Sequence, residues 1–139
     1  MSKRPVCLIT GASAGIGAAC ARLGAADYDF VLAYRSDQDG ADAAKAAVEA
    51  GGATAVTVQG DVADPADIAR IFAAADAAFG RVDVLLNNAG IVDQPAKLPE
   101  LDHARLSRMM NVARPRRGPR PFCGLPRMMR AMSPALRWR

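Results

Sequence analysis

At 139 residues the chain has the length of one domain, enough to bury a real core. Hydrophobic residues make up 51% and charged residues 23%, a balance that excludes a disordered polar chain. The longest early apolar run, Val6 to Ile9, is too short for a signal-peptide core or a membrane span, so a cytoplasmic protein without a membrane partner is expected. Charge divides the chain. Residues 1–112 carry 10 Lys/Arg against 14 Asp/Glu, whereas residues 113–139 carry eight arginines and no acid. Two parts are therefore expected: a folded unit over 1–112 and a basic, Arg/Pro-rich, disordered tail over 113–139. Cys7, Cys20 and Cys123 are odd in number and lack metal-ligand spacing, which reads as free thiols and no metal site.

In chain order, Val6-Cys7-Leu8-Ile9 reads as a buried strand running into the glycine-rich stretch Thr10 to Gly17. From Ser13, a helix would place Ile16, Ala19, Cys20 and Leu23 on one apolar face. Phe30 to Ala33 is a second short strand, and Asp37 to Ala50 an alanine-rich helix closed by Gly51-Gly52. Thr54 to Val58 is β-branched and reads as a third strand. Asp64-Pro65 has the form of an N-cap with proline at the first helical position, and the helix after it stripes Ile68, Ile71, Phe72, Ala75 and Phe79 on one face. Val82 to Leu86 is a fourth strand, and Leu101 to Val112 begins a further helix.

Strand and helix alternate four times, with continuous apolar runs rather than period-two alternation. That pattern predicts parallel strands covered on both faces, the doubly wound α/β class. Right-handed crossovers and a switch after the first strand predict the order 3-2-1-4 for an incomplete sheet. Beyond Val112, the prolines of 113–121 cannot continue a helix, and no further strand is legible.

Thr10-Gly11-Ala12-Ser13-Ala14-Gly15-Ile16-Gly17 lies between a strand and a helix, where glycines permit a tight turn and let backbone amides approach a pyrophosphate. Its Gly-x-x-x-Gly-x-Gly spacing differs from the common dinucleotide fingerprint. Asp61-Val62 follows the third strand and Asn87-Asn88-Ala89-Gly90 the fourth. Taken singly, Asp61 would pass as a helix cap and the asparagines as turn formers.

Together the three motifs resemble the signature set of the short-chain dehydrogenase/reductase family, over residues 5 to about 112. The resemblance implies a Rossmann-like fold and hydride transfer between a nicotinamide cofactor and a carbonyl or secondary alcohol. By the same resemblance Gly11, Ser13, Gly15, Ile16 and Gly17 would line the phosphates. Asp61 would bond the adenine with Val62 beside the ring, and Asn88, Ala89 and Gly90 would support the adenosine ribose and the central sheet. Asn111 matches the asparagine that holds a water in the family's proton relay. A homodimer or homotetramer and a small-molecule substrate are implied as partners.

The end of the second strand separates the cofactors, since an acid there accepts the ribose 2′-hydroxyl of NAD and a base accommodates the 2′-phosphate of NADP. Tyr34 fills the acidic slot and Arg35-Ser36 follow, which favours NADP over NAD. Ala14 is not the basic residue many NADP-using relatives carry before the second glycine. Asp37 could instead cap the next helix and leave Arg35 merely solvated.

The family's chemistry also needs a serine and a Tyr-x-x-x-Lys pair. The only tyrosines are Tyr28 and Tyr34, and Lys3, Lys45 and Lys97 do not follow either at that spacing. Neither Ser107 nor Ser133 has such a partner. Loss of a general acid alone costs about 10²–10⁴ in rate, so the chain as written is expected to be an oxidoreductase by descent but inactive; the alternative is a non-enzymatic dinucleotide-binding remnant. His103 is a lone histidine expected at a helix surface or cap. A GC-rich gene read in a shifted frame accounts for an arginine- and proline-rich end that starts inside a family motif. An arginine arm gripping nucleic-acid phosphates is the less favoured alternative. The fourth strand is expected to have an open, aggregation-prone edge.

Overall fold

A computed structural model describes residues 4–91 and 103–113. The expected tail, with Cys123 in it, lies outside the described residues beyond position 113, as do Lys97 and the expected helix start at Leu101. The elements run β1 (Val6–Thr10), α1 (Gly15–Leu23), β2 (Asp29–Tyr34), α2 (Gln38–Ala50), β3 (Ala55–Gln59), α3 (Pro65–Phe79), β4 (Val84–Leu86) and α4 (His103–Ala113). All three strand pairings are parallel, and the sheet order is β3-β2-β1-β4, as the alternation predicted.

The continuous apolar runs have a simple cause. Successive strand residues point to opposite faces, and here both faces are covered. Cys7, Ile9, Phe30 and Leu32 pack with Ala18 and Ala21 of α1 and with Ala44 and Val48 of α2. Val6, Leu8, Val31 and Ala33 pack the other way, with Ile71 and Ala75 of α3, and Phe72 and Phe79 close that side. Each fully buried Phe, Leu or Ile contributes about 1.5–3 kcal/mol relative to exposure. Asp29, buried at the start of β2, accepts a hydrogen bond from the Thr54 amide at 2.8 Å and ties the strand to the approach of β3. Cys7 and Cys20 are free thiols. Burial, and secondarily Cys20, pushes the Cys7 thiol from 9.0 to about 11, the behaviour of a small inert hydrophobe.

Two sequence expectations need correction. The apolar face assigned to α1 is not the buried one. Ile16 is 73% and Leu23 85% exposed, and Gly17, Ala18 and Ala21 face the sheet instead. The small residues win because only they let the helix approach the strand ends closely. The fourth strand is also shorter than Val82–Leu86. Val82 is buried outside the ladder, while Val84 and Leu85 stand 36% and 41% exposed. At its start the Asp83 carboxylate accepts the Val6 amide at 2.8 Å and pairs with Arg81 at 2.9 Å. No helix among the described residues is long and apolar enough to cross a membrane.

Candidate functional site

The loops after all four strands converge where the strand order reverses, the place where open α/β sheets leave a crevice. A solvent-open cleft lies there, walled by residues from all four loops. Its walls come from three arms.

The first arm is the glycine loop. Gly11 has φ +66° and Gly15 φ +56°, left-handed values that favour glycine. A Cβ on Gly11 would come 3.0 Å from the Ala89 Cα, whereas one on Gly15 would meet nothing within 4 Å. Ala14, in extended backbone, caps α1 without any side-chain hydrogen bond, and the first turn holds no acid. By contrast, Asp37 caps α2 and Asp64 caps α3 through their carboxylates. The opening amides of α1 thus lack a side-chain acceptor, and its positive dipole end faces open space at Gly15. An anion suits that position.

Beneath the loop is a knot of hydrogen bonds between the ends of β1 and β4. The Thr10 hydroxyl accepts the Asn88 and Ala89 amides at 3.1 and 3.0 Å. The Asn88 side chain donates back to the carbonyls of Thr10 and Gly11 at 3.2 and 3.0 Å. Gly17 closes the knot, because a Cβ there would run into the Gly11 carbonyl oxygen and stand 2.6 Å from the Asn88 Nδ2.

The second arm follows β2. Tyr34 is buried, and its carbonyl accepts the Gly60 amide at 2.8 Å. Arg35, Ser36 and Asp37 are exposed along the cleft wall. Gln59 donates to the Arg35 carbonyl at 3.1 Å. Asp37 does cap α2, accepting the Gly40 amide at 2.9 Å, so that one of its carboxylate oxygens is taken up by its own helix.

The third arm follows β3. Asp64 rather than Asp61 is the cap of α3, so the alternative of a helix cap does not account for Asp61. One Asp61 oxygen accepts the Ala63 amide at 2.8 Å, and the Asp61 amide donates to Asp67 at 2.8 Å. Asp67 also pairs with Arg70 at 2.8 Å, and Arg70 reaches back to the Gln59 carbonyl at 2.9 Å.

The cleft brings together Gly11, Ser13, Arg35, Ser36, Asp61, Val62, Ala89 and Gly90 from the residues singled out in the sequence. Gly15, Ile16, Gly17 and Asn88 are not on its lining. Gly15 faces open space, Gly17 and Asn88 hold the loop from below, and Ile16 points to solvent. Asn111 is exposed on α4, and its neighbour Val112 lines the cleft instead. His103 sits exposed at the start of α4, with its Nδ1 3.2 Å from the Ser107 hydroxyl. Residues the sequence did not single out for the site are Thr10, Gly40, Gly60 and Ile91. Gly60 had a signal, a glycine between a strand end and Asp61. A Cβ there would lie 2.9 Å from Ile71 Cδ1, so α3 packs close under the wall that carries Asp61 and Val62. Thr10 opens the glycine motif, but its partners at Asn88 and Ala89 are remote in sequence, and Gly40 gave no signal because its contact with the Ser13 carbonyl is remote too.

The short chain dehydrogenase family model matches residues 5–114. An uncharacterised oxidoreductase of Methylorubrum extorquens is 40% identical over 108 residues, covering 77% of this chain and 43% of that protein. L-rhamnose 1-dehydrogenase (NAD(P)(+)) of a Sphingomonas species is 45% identical over 86 residues, covering 60% of this chain and 34% of that protein. The solved structure of 3-ketoacyl-(acyl-carrier-protein) reductase from Brucella melitensis, complexed with NADH, superposes with a TM-score of 0.69 at 31% identity, covering 78% of this chain and 43% of that one. The chain therefore spans less than half the length of these relatives. With the parallel 3-2-1-4 sheet, the glycine loop at its switch point and the family match over most of its length, the chain belongs to the short-chain dehydrogenase/reductase family, whose members bind NAD(P).

Proposed function

We propose that residues 1–112 are the cofactor-binding part of an NADP-preferring oxidoreductase acting on a small carbonyl or secondary alcohol. The observation that carries it is the uncapped start of α1, facing open space at Gly15 just after the cleft-lining Gly11 and Ser13, with Arg35 and Ser36 on the second wall of that cleft. The amides around Gly15 to Gly17 would take the pyrophosphate. Asp61 and Val62 would take the adenine, Ala89 and Gly90 the ribose side, and Arg35 with Ser36 the 2′-phosphate. A bound nicotinamide would supply the hydride. The chain's own residues do the gripping, through a helix dipole, fixed backbone amides and one guanidinium that matches a phosphate as a planar fork. The whole protein is proposed to work in the cytoplasm as a dimer or tetramer, with Asn111 of α4 serving its proton relay.

The test is calorimetric titration of the 139-residue chain with NADP⁺ and NAD⁺. NADP⁺ should bind more tightly, and Arg35→Ser should remove about tenfold of that preference while leaving NAD⁺ affinity within about twofold. Equal affinity for the two before substitution would sink the NADP assignment, and binding of neither would sink the cofactor site. Since the 139 residues hold no Tyr-x-x-x-Lys, a second reading is favoured for them by themselves: a dinucleotide binder that does not turn over. NADPH should then bind with no oxidation when carbonyl substrates are added.

A further inference from the structure

Gly40 stands in the first turn of α2, a helix otherwise rich in alanine, where glycine weakens a helix relative to alanine. Its backbone does not require glycine, since it is not among the residues of positive φ. Space does. A Cβ at position 40 would come 2.5 Å from the Ser13 carbonyl oxygen and 2.8 Å from the Asp37 carboxyl carbon. One neighbour is backbone of the glycine loop and cannot swing away; the other is a short side chain that can.

Asp37 directly follows the Arg35–Ser36 wall and lines the cleft itself, as Asp61 does from the third arm. One of its oxygens accepts the Gly40 amide at 2.9 Å, and the other lies where a Cβ of residue 40 would be. The missing methyl is thus the seat of the carboxylate. Filling the seat would turn the carboxylate off the helix and toward the wall, where its charge would pair with Arg35 and oppose a phosphate.

We propose that Gly40 is a specificity-positioning residue: it seats the Asp37 carboxylate on the first turn of α2 and so keeps a negative charge away from the 2′-phosphate of NADP. The inference rests on the cofactor assignment above. It adds that cofactor preference is set by a glycine that touches no cofactor, acting through an acid three residues earlier.

The experiment is a set of calorimetric titrations with NADP⁺ and NAD⁺ on the full chain. Gly40→Ala should lower the ratio of NADP⁺ to NAD⁺ affinity by about fivefold, the effect of one unit charge a few ångströms from another in a wet site. The same change in an Asp37→Ser background, which keeps a capping oxygen and removes the charge, should leave the ratio unaltered by Gly40→Ala. Asp37→Glu, whose longer side chain does not fit the seat, should lower the ratio in the same direction with Gly40 in place and the Ser13 contact undisturbed. Equal weakening of both cofactors by Gly40→Ala, or the same loss in the Asp37→Ser background, would reduce Gly40 to a packing residue and overturn the proposal. If the unsubstituted chain binds neither cofactor, the cofactor assignment itself falls, and the role of Gly40 with it.

Discussion

β2 and β4 flank the same central strand, pair with it in parallel and are both apolar in sequence. They end in opposite environments. All six residues of β2 are buried, while Val84 and Leu85 of β4 face solvent and only Leu86 is half covered. β2 lies between helices on both faces and a strand on each side. Among the described residues, β4 has a strand on one side only, and no α4 residue belongs to either core cluster. An apolar run therefore specifies a strand, whereas its burial depends on what the rest of the chain lays over it. The site straddles both regions, with its rigid part built on the covered strands.

The largest effect expected tests whether the knot joining the two regions holds the site. Gly17→Val would drive a side chain into the Gly11 carbonyl and the Asn88 amide. It should cost about 3 kcal/mol of stability and abolish NADP⁺ binding, read by urea melts and calorimetry. A stable, binding variant would show that α1 and β4 are not coupled through this residue.

Thr10→Val keeps the shape of the side chain but leaves the Ala89 amide without its acceptor and the Asn88 amide with only the Leu86 carbonyl, at 3.0 Å. A loss of about 2 kcal/mol is expected, with Thr10→Ser recovering most of it. If Ser and Val melt alike, the hydroxyl contributes nothing to holding β4 on β1.

Cys7 reports on the buried region by pH. Its thiol titrates at about 11 in the folded chain instead of 9.0. The folded state therefore holds the proton more tightly. The stability this confers is complete below pH 9 and is lost as pH rises toward 11. Between pH 8 and pH 10 the chain should lose about 1 kcal/mol more than a Cys7→Ala variant does. Parallel pH profiles of the two would mean that the thiol is not buried as described.

The smallest effect belongs to the exposed strand. Leu85→Lys should change stability by less than about 0.5 kcal/mol and should reduce self-association seen by light scattering. The same substitution at Val31 of β2 should unfold the chain. Comparable costs at the two positions would erase the contrast between the strands.

Much of the fold was legible because periodicity reports covalent geometry. The alternation of short apolar runs with helices gave four parallel strands and their order. Asp64-Pro65 marked the start of α3, and Gly51 closes α2 where the pair Gly51-Gly52 was expected to. Eight of the residues picked out in the sequence, six from the motifs and Arg35 and Ser36 from the end of β2, line one cleft because loops after parallel strands gather at one edge of the sheet. The face of α1 was misjudged for a physical reason. Hydrophobicity favours Ile16 and Leu23, but contact distance at the strand ends admits only Gly17, Ala18 and Ala21. Whether Asp37 caps α2 was open in the sequence, since an acid before a helix does not by itself show which amide it accepts; it accepts that of Gly40.

The sequence by itself determined which segments are strands and helices, where the glycine loop lies and which residues end each strand. These follow from local spacing, from the conformational limits of glycine and proline, and from capping chemistry. Only the tertiary structure decided that Thr10 and Asn88 bind each other's backbones, that Gly17 and Gly40 are glycines for want of room, and that β4 is left uncovered among the described residues. Those outcomes depend on distances between segments tens of residues apart, and no local pattern carries a distance of that kind.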